Sequence, residues 1–141
     1  MGNNRIDVVV KAMQAWGQHD IDGVINCVTD DIEWHYHVGS RPVKGVATMR
    51  KMLERLQSHQ TDLDWRLKTF AETDNGVLIE AVDAYTSAEG HRVQVPYMGS
   101  YEFEGSRISA WRDYVDMGLM TRAQAGEPLD EWIEALVTDS D

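Results

Sequence analysis

The chain has 141 residues, 43% of them hydrophobic and 26% charged, a composition that suits a globular protein with an ordinary core. Its 24 acidic residues against 13 basic ones leave a formal net charge of -11 at pH 7. That balance argues against nucleic acid or an anionic membrane as the main partner, because both need a basic footprint.

The opening stretch MGNNRIDVVVKAMQAW lacks the charged, apolar and small-residue order of a secretion signal, and no apolar run is long enough to span a bilayer. The expectation is a cytoplasmic protein. Asn3 or Asn4 caps a first helix, in which Ile6, Val9, Val10, Met13 and Trp16 recur at helical spacing until Gly17. Asp20 caps a short second helix carrying Ile21, Val24, Ile25 and Val28. The lone cysteine, Cys27, has no partner for an internal disulfide and sits among apolar neighbours, so it reads as a core filler.

The stretch IEWHYHVGSRPVKG alternates Ile32, Trp34, Tyr36 and Val38 with Glu33, His35 and His37, the pattern of a half-buried strand. On a strand His35 and His37 share a face, which is the start of a metal site. His19, His59 and His91 stand at scattered polar positions and complete no ligand set, so no metal is expected. The parity instead turns Trp34 and Tyr36 inward. Val46, Met49, Met52, Leu53 and Leu56 then form a third helical stripe.

From residue 62 the period becomes two. Leu63, Trp65, Leu67 and Thr69 form one run; Val77, Ile79, Ala81, Asp83 and Tyr85 the next; then Val93, Val95, Tyr97, Gly99, Tyr101 and Phe103; and last Trp111, Asp113 and Val115. Turns fall at Asp74-Asn75-Gly76, Glu89-Gly90 and Glu104-Gly105-Ser106, giving an antiparallel meander. Pro128 suits the first turn of a C-terminal helix with Leu129, Trp132, Ile133 and Leu136 on one stripe. Early helices and late strands predict an α+β fold with a curved sheet closing over the helices. We expect one domain over 1–141, with a core over 1–126 and a C-terminal helical extension over 127–141.

Asp83 and Asp113 lie on otherwise apolar strand faces, where an unpaired ionised carboxylate is expensive to bury. Each is either a strut bonded by a neighbouring Arg or Tyr or a working group at a site. With Tyr97 and Tyr101 on the same inward parity, the pattern points to a small-molecule pocket.

GVLIEAVDAYTSAEG followed by GSYEFEGSRISAWRDYVDMGLM resembles the limonene-1,2-epoxide hydrolase family, within the group sharing the nuclear-transport-factor-2-like fold with ketosteroid isomerases and SnoaL-like polyketide cyclases. TDDIEWHYHVGSRPVKG is similar to the first strand and turn of the isomerases. The resemblance implies a cone-shaped fold whose sheet wraps an apolar pocket, often in dimers, with no metal or organic cofactor. It also implies that Asp83 and Asp113 match the two carboxylates of an Asp-Arg-Asp constellation that activates water. The arginine position is Ala81, the water-holding Tyr and Asn positions fall on Trp34 and Tyr36, and the isomerases' catalytic aspartate falls on Tyr36. Hydrolysis by the familiar arrangement would need Arg41 or Arg92 to reach in.

These readings favour a cofactor-independent general acid–base enzyme acting on an apolar, aromatic, oxygenated small molecule. Asp113 or Asp83 is the candidate base, Tyr36 or Tyr97 the candidate hydrogen-bond donor, and Trp34, Tyr101 and Trp111 the candidate ring-holding residues. Missing water-holding groups and added phenols favour elimination, isomerisation or carbon–carbon cleavage of the lyase type. The same fold group includes cofactor-free lyases acting on lignin-derived diarylpropanes, an analogy of fold. The alternatives are epoxide hydrolysis with a rearranged constellation and a non-catalytic ligand-binding or dimerisation module. A homodimer is expected, because apolar groups such as Met98 and Phe70 on the other parity would gain from burial.

Overall fold

The computed structural model describes residues 4–138. In chain order these form α1 (Arg5–Gly17), α2 (Ile21–Ile25), β1 (Val28–His35), β2 (Val43–Lys44), α3 (Val46–Gln57) and β3 (Gln60–Thr61). There follow β4 (Arg66–Glu72), β5 (Gly76–Ser87), β6 (Arg92–Glu104), β7 (Arg107–Val115), α4 (Met117–Gln124) and α5 (Glu131–Val137).

The capping signals act unequally. Asp20 accepts a hydrogen bond from the Gly23 N–H at 2.9 Å and starts α2, a contact worth about 1 kcal/mol. Asn4 stands at the N-cap of α1 without a side-chain bond, and Asn3 lies outside the described residues. The apolar stripes bury as their spacing predicts: Val9 and Ala12 of α1, Val24 of α2, and Met49 and Leu53 of α3 join Ile32, Val77, Ile79 and Ile108 in one core cluster. Cys27 lies in that cluster, and burial pushes its thiol up, as suits a filler.

The strands form one curled sheet in the order β2-β1-β7-β6-β5-β3, with β4 also paired to β5. The meander from β4 to β7 is antiparallel, but β1 runs parallel to β7, with Trp34 beside Trp111. The sheet is therefore mixed. After β1 the chain crosses through α3 to the far edge, and the meander works back until β7 reaches β1 from the same end. The result is an α+β cone with helices inside the curl.

Three details depart from the sequence pattern. A register shift between Leu67 and Thr69 sets Thr69 opposite Glu80 and Phe70 opposite Ile79, so Phe70 shares the register of the inner face and Thr69 that of the outer. Residues 117–124 form α4, a helix that the period-two reading passed over; Asp116 caps it by accepting from the Leu119 N–H at 3.1 Å. The last helix begins after Asp130, so Pro128 precedes it, and its packed side is Ile133 and Val137. Trp132, 71% exposed, and Leu136 point away. Arg66 and Lys68 of β4 donate to the carbonyls of Val137 and Leu136 at 2.6 and 2.8 Å and tie down this end. Among the described residues no helix is long and apolar enough to cross a membrane.

Candidate active site

Between the helices and the concave face of the sheet lies a cavity of about 180 Å³. That is comparable to the ~150 Å³ apolar void that holds a benzene molecule in an engineered protein. Its walls are Met13 and Trp16 of α1, Leu53 and Leu56 of α3, and Trp34, Tyr97 and Trp111 of the sheet. Asp83, Asp113, Tyr36, His37 and Tyr85 also face it. The inward parity of β5, β6 and β7 brings these side chains to one place, because each strand offers alternate residues to the same face.

The ladders fix their relation. Ala81 pairs with Tyr97, Tyr97 with Val115, and Gly99 with Asp113, so Asp83 and Asp113 stand on either side of β6 with Tyr97 between them. The Asp113 Oδ1 accepts from the Trp111 indole N–H at 3.1 Å. Asp83 has no hydrogen-bond partner among the described side chains, and its carboxyl keeps some accessible surface toward the cavity. The Tyr97 hydroxyl accepts from the Trp65 indole N–H at 2.6 Å, which leaves its own proton to be given elsewhere.

Burial among apolar groups dominates the electrostatics. It pushes the Asp83 carboxyl up to about 6. It pushes Asp113 well above the carboxylate range; the charge of Asp83 adds to this and the Trp111 N–H opposes it. Burial likewise raises Tyr97, reinforced by the charges of Asp113 and then Asp83, with the Trp65 N–H acting against them. Both carboxyls therefore hold their protons more tightly than an ordinary carboxylate, in one apolar space beside the Tyr97 phenol.

Of the residues singled out from sequence, Trp34, Tyr36, Asp83, Tyr97, Trp111 and Asp113 line the cavity. Tyr101 does not. It is enclosed, 1% exposed, and packs on Trp111 at 5.2 Å between ring centroids, behind the wall. Regular alternation puts His37 on the opposite face unless a bulge reverses it, and it lines the cavity. β1 ends at His35, and beyond it the alternation no longer applies; the chain bends and the Val38 N–H donates to the Asp113 carbonyl at 2.8 Å. His35 turns outward and meets Glu33 at 3.2 Å. The two imidazoles diverge, and among the described residues no group of three or more His, Cys, Asp or Glu is placed to hold a metal. Met117, Met120 and Gln124, one face of α4, close another wall; Gln124 and Met120 both bond the Tyr85 hydroxyl, at 2.8 and 3.4 Å. The Asp116 cap and the 117-120-124 spacing were the available signal. Among the described residues no arginine or lysine lines the cavity: Arg41 is exposed, and Arg92 bonds the Asp62 carbonyl and Thr86 elsewhere.

The sequence matches the model of the family described as SnoaL-like domain over residues 9–111. The chain belongs to the SnoaL-like domain family. No curated protein matches this SnoaL-like domain in sequence. Among solved structures it is similar to an LEH-like epoxide hydrolase from M. tuberculosis, at 26% identity and a TM-score of 0.75, covering 86% of this chain and 89% of that one. An NTF2-like protein of unknown function from Burkholderia pseudomallei K96243 gives a TM-score of 0.78 at 17% identity, over 86% of this chain and 98% of that one. A protein from Jannaschia sp. CCS1 described as a SnoaL-like polyketide cyclase gives 0.76 at 14%, over 90% and 100%. The last two share the fold alone.

Proposed function

We propose that this SnoaL-like domain is a cofactor-independent general acid–base enzyme of the isomerase or lyase type, acting on a small, apolar, aromatic molecule that carries oxygen. The observation that carries this reading is the pair of carboxyls, Asp83 and Asp113, facing one apolar cavity whose burial raises the proton affinity of both. Asp83, ionised above about pH 6, is the base. Asp113, whose proton burial holds more tightly than usual, is the acid, and Tyr97 and Tyr36 are further donors.

The chemistry follows from these roles. Asp83 takes a proton from the carbon beside a carbonyl, the C–H electron pair becomes a C=C bond, and the carbonyl oxygen takes the proton of Asp113. Return of the proton from Asp83 to another carbon, and of the enol proton to Asp113, completes an isomerisation. Where an oxygen group stands one carbon further on, the enol proton returns to Asp113 and passes to that group as its C–O bond breaks, and the same start becomes an elimination. Two preorganised donors at the developing oxyanion are worth on the order of 10²–10³ each in rate. Trp34 and Trp111, 5.9 Å apart between centroids, supply flat apolar walls for a ring.

Epoxide hydrolysis is the second reading. The 26% identity with the M. tuberculosis enzyme favours it. Against it stand the fully buried Ala81 at the arginine position and the absence of any cationic side chain in the described cavity wall. The test is a panel of aromatic enones, diols and epoxides followed by NMR in D₂O. Deuterium entering at carbon without net addition of water supports proton transfer; turnover confined to epoxides, yielding diols, supports hydrolysis instead. We further propose a homodimer formed through the outer sheet face, where Leu78, Met98 and Tyr114 are 42%, 53% and 51% exposed.

A further inference from the structure

The charge of the cavity is one-sided. Its titratable and charged lining groups are Asp83 from β5, Asp113 from β7, Tyr85 and Tyr97 from β5 and β6, and Tyr36 and His37 from the end of β1. The helices α1, α3 and α4 contribute apolar groups and the Gln124 amide. No ammonium or guanidinium among the described residues neutralises either carboxyl, and Asp83 has no hydrogen-bond donor either. A negative group left without a partner in an apolar wall is normally paired, because the cost of burial is otherwise unmet.

The wall that these carboxyls share is largely aromatic. Trp34 lies 5.9 Å from Trp111 and 5.9 Å from Tyr36, inclined to each rather than stacked flat. Such walls attract cations through the ring quadrupole, most strongly when water is excluded.

We propose that the cavity selects molecules bearing a protonated amine, with the ammonium paired to Asp83 and the rest of the molecule against the aromatic wall of Trp34, Trp111 and Tyr36. This rests on the reading of the cavity as a substrate site and narrows the small aromatic, oxygen-bearing substrate to one that also carries a protonated amine. Carboxylates and phosphates are excluded, since each would bring a second negative charge beside Asp83 without a counter-ion.

The test titrates the full-length protein with benzylamine, benzyl alcohol and benzoate, near-isosteric probes that are cationic, neutral and anionic. Fluorescence of Trp16, Trp34 and Trp111 in the wall, or calorimetry, reports binding. At about pH 7.5 benzylamine, an ordinary amine and so protonated, binds at least about tenfold tighter than benzyl alcohol, and benzoate does not bind. Benzylamine affinity falls as the pH drops through about 6, where Asp83 takes up its proton. Asp83→Asn lowers benzylamine affinity by about tenfold and leaves benzyl alcohol unchanged. His37→Gln, which removes the one imidazole among the lining residues, keeps the pH step. Equal or tighter binding of benzyl alcohol overturns amine selection while leaving an apolar ligand site intact. Loss of the step in His37→Gln overturns the assignment to Asp83. Failure of all three probes to bind overturns both the selection and the substrate-site reading.

Discussion

Gly99 stands directly across the β6–β7 ladder from Asp113, and a methyl group on its Cα would lie 3.3 Å from the Asp113 Oδ1 and 3.0 Å from the Tyr101 ring. The missing side chain makes room for the carboxyl between Tyr97 and Tyr101. Gly99→Ala therefore pushes on Tyr101, which is enclosed and packed against Trp111. The expected cost is about 1–3 kcal/mol, the usual penalty of overpacking, with weaker ligand binding in the cavity. Thermal melting and a binding titration on the same sample check both effects.

The Trp111 N–H is the group that holds the Asp113 carboxyl down against burial. Trp111→Phe keeps most of the wall and removes the donor, so the Asp113 proton becomes harder to remove. A carboxyl-selective NMR titration of wild type and variant should show the Asp113 transition moving to higher pH. A move to lower pH would contradict the assignment of the bond.

Asp83 gives a stability prediction of definite sign. Its folded-state value of about 6 lies above the unfolded carboxylate value near ~3.9, so the folded chain binds the proton more tightly between these limits. Stability therefore falls as pH rises from about 4 to 6 and is level above, a loss of up to about 2–3 kcal/mol that access of water to the cavity reduces. Asp83→Asn, which never ionises, should be more stable than wild type at pH 7, and the difference should vanish near pH 4. Urea denaturation at the two pH values measures it. A variant less stable than wild type at pH 7 would make Asp83 a strut.

On the outer sheet face Met98 and Tyr114 are cross-strand partners, and both are half exposed. Met98→Glu places a charge at the centre of this patch and should convert the proposed dimer to a monomer without loss of melting cooperativity. Sedimentation of both proteins decides it; a monomeric wild type at working concentrations would refute the dimer.

The helix stripes, the inward parity of β5 to β7 and the pairing of two carboxyls with one apolar face were legible in the sequence, because burial forces periodicity wherever an element is regular. What the sequence hid lay where regularity stops. His37 follows the last residue of β1, Phe70 follows a register shift, and the start of α5 is displaced by Pro128. Tyr101 had the right parity but the wrong depth, since parity gives a face and not a distance from the cavity. The parallel pairing of β1 with β7 is a long-range choice that local pattern does not encode.

The central claim is that Asp83 and Asp113 are a base and an acid acting on one substrate, and it is tested most directly by kcat/KM against pH for wild type, Asp83→Asn and Asp113→Asn on a turned-over member of the panel. The account predicts a wild-type profile that rises through about pH 6 as Asp83 loses its proton and falls at higher pH as Asp113 loses its own. Each variant should keep its fold and lose about 10²–10⁴ in rate, with the lower limb absent from Asp83→Asn. Full activity in either variant, or a lower limb that persists in Asp83→Asn, would contradict it.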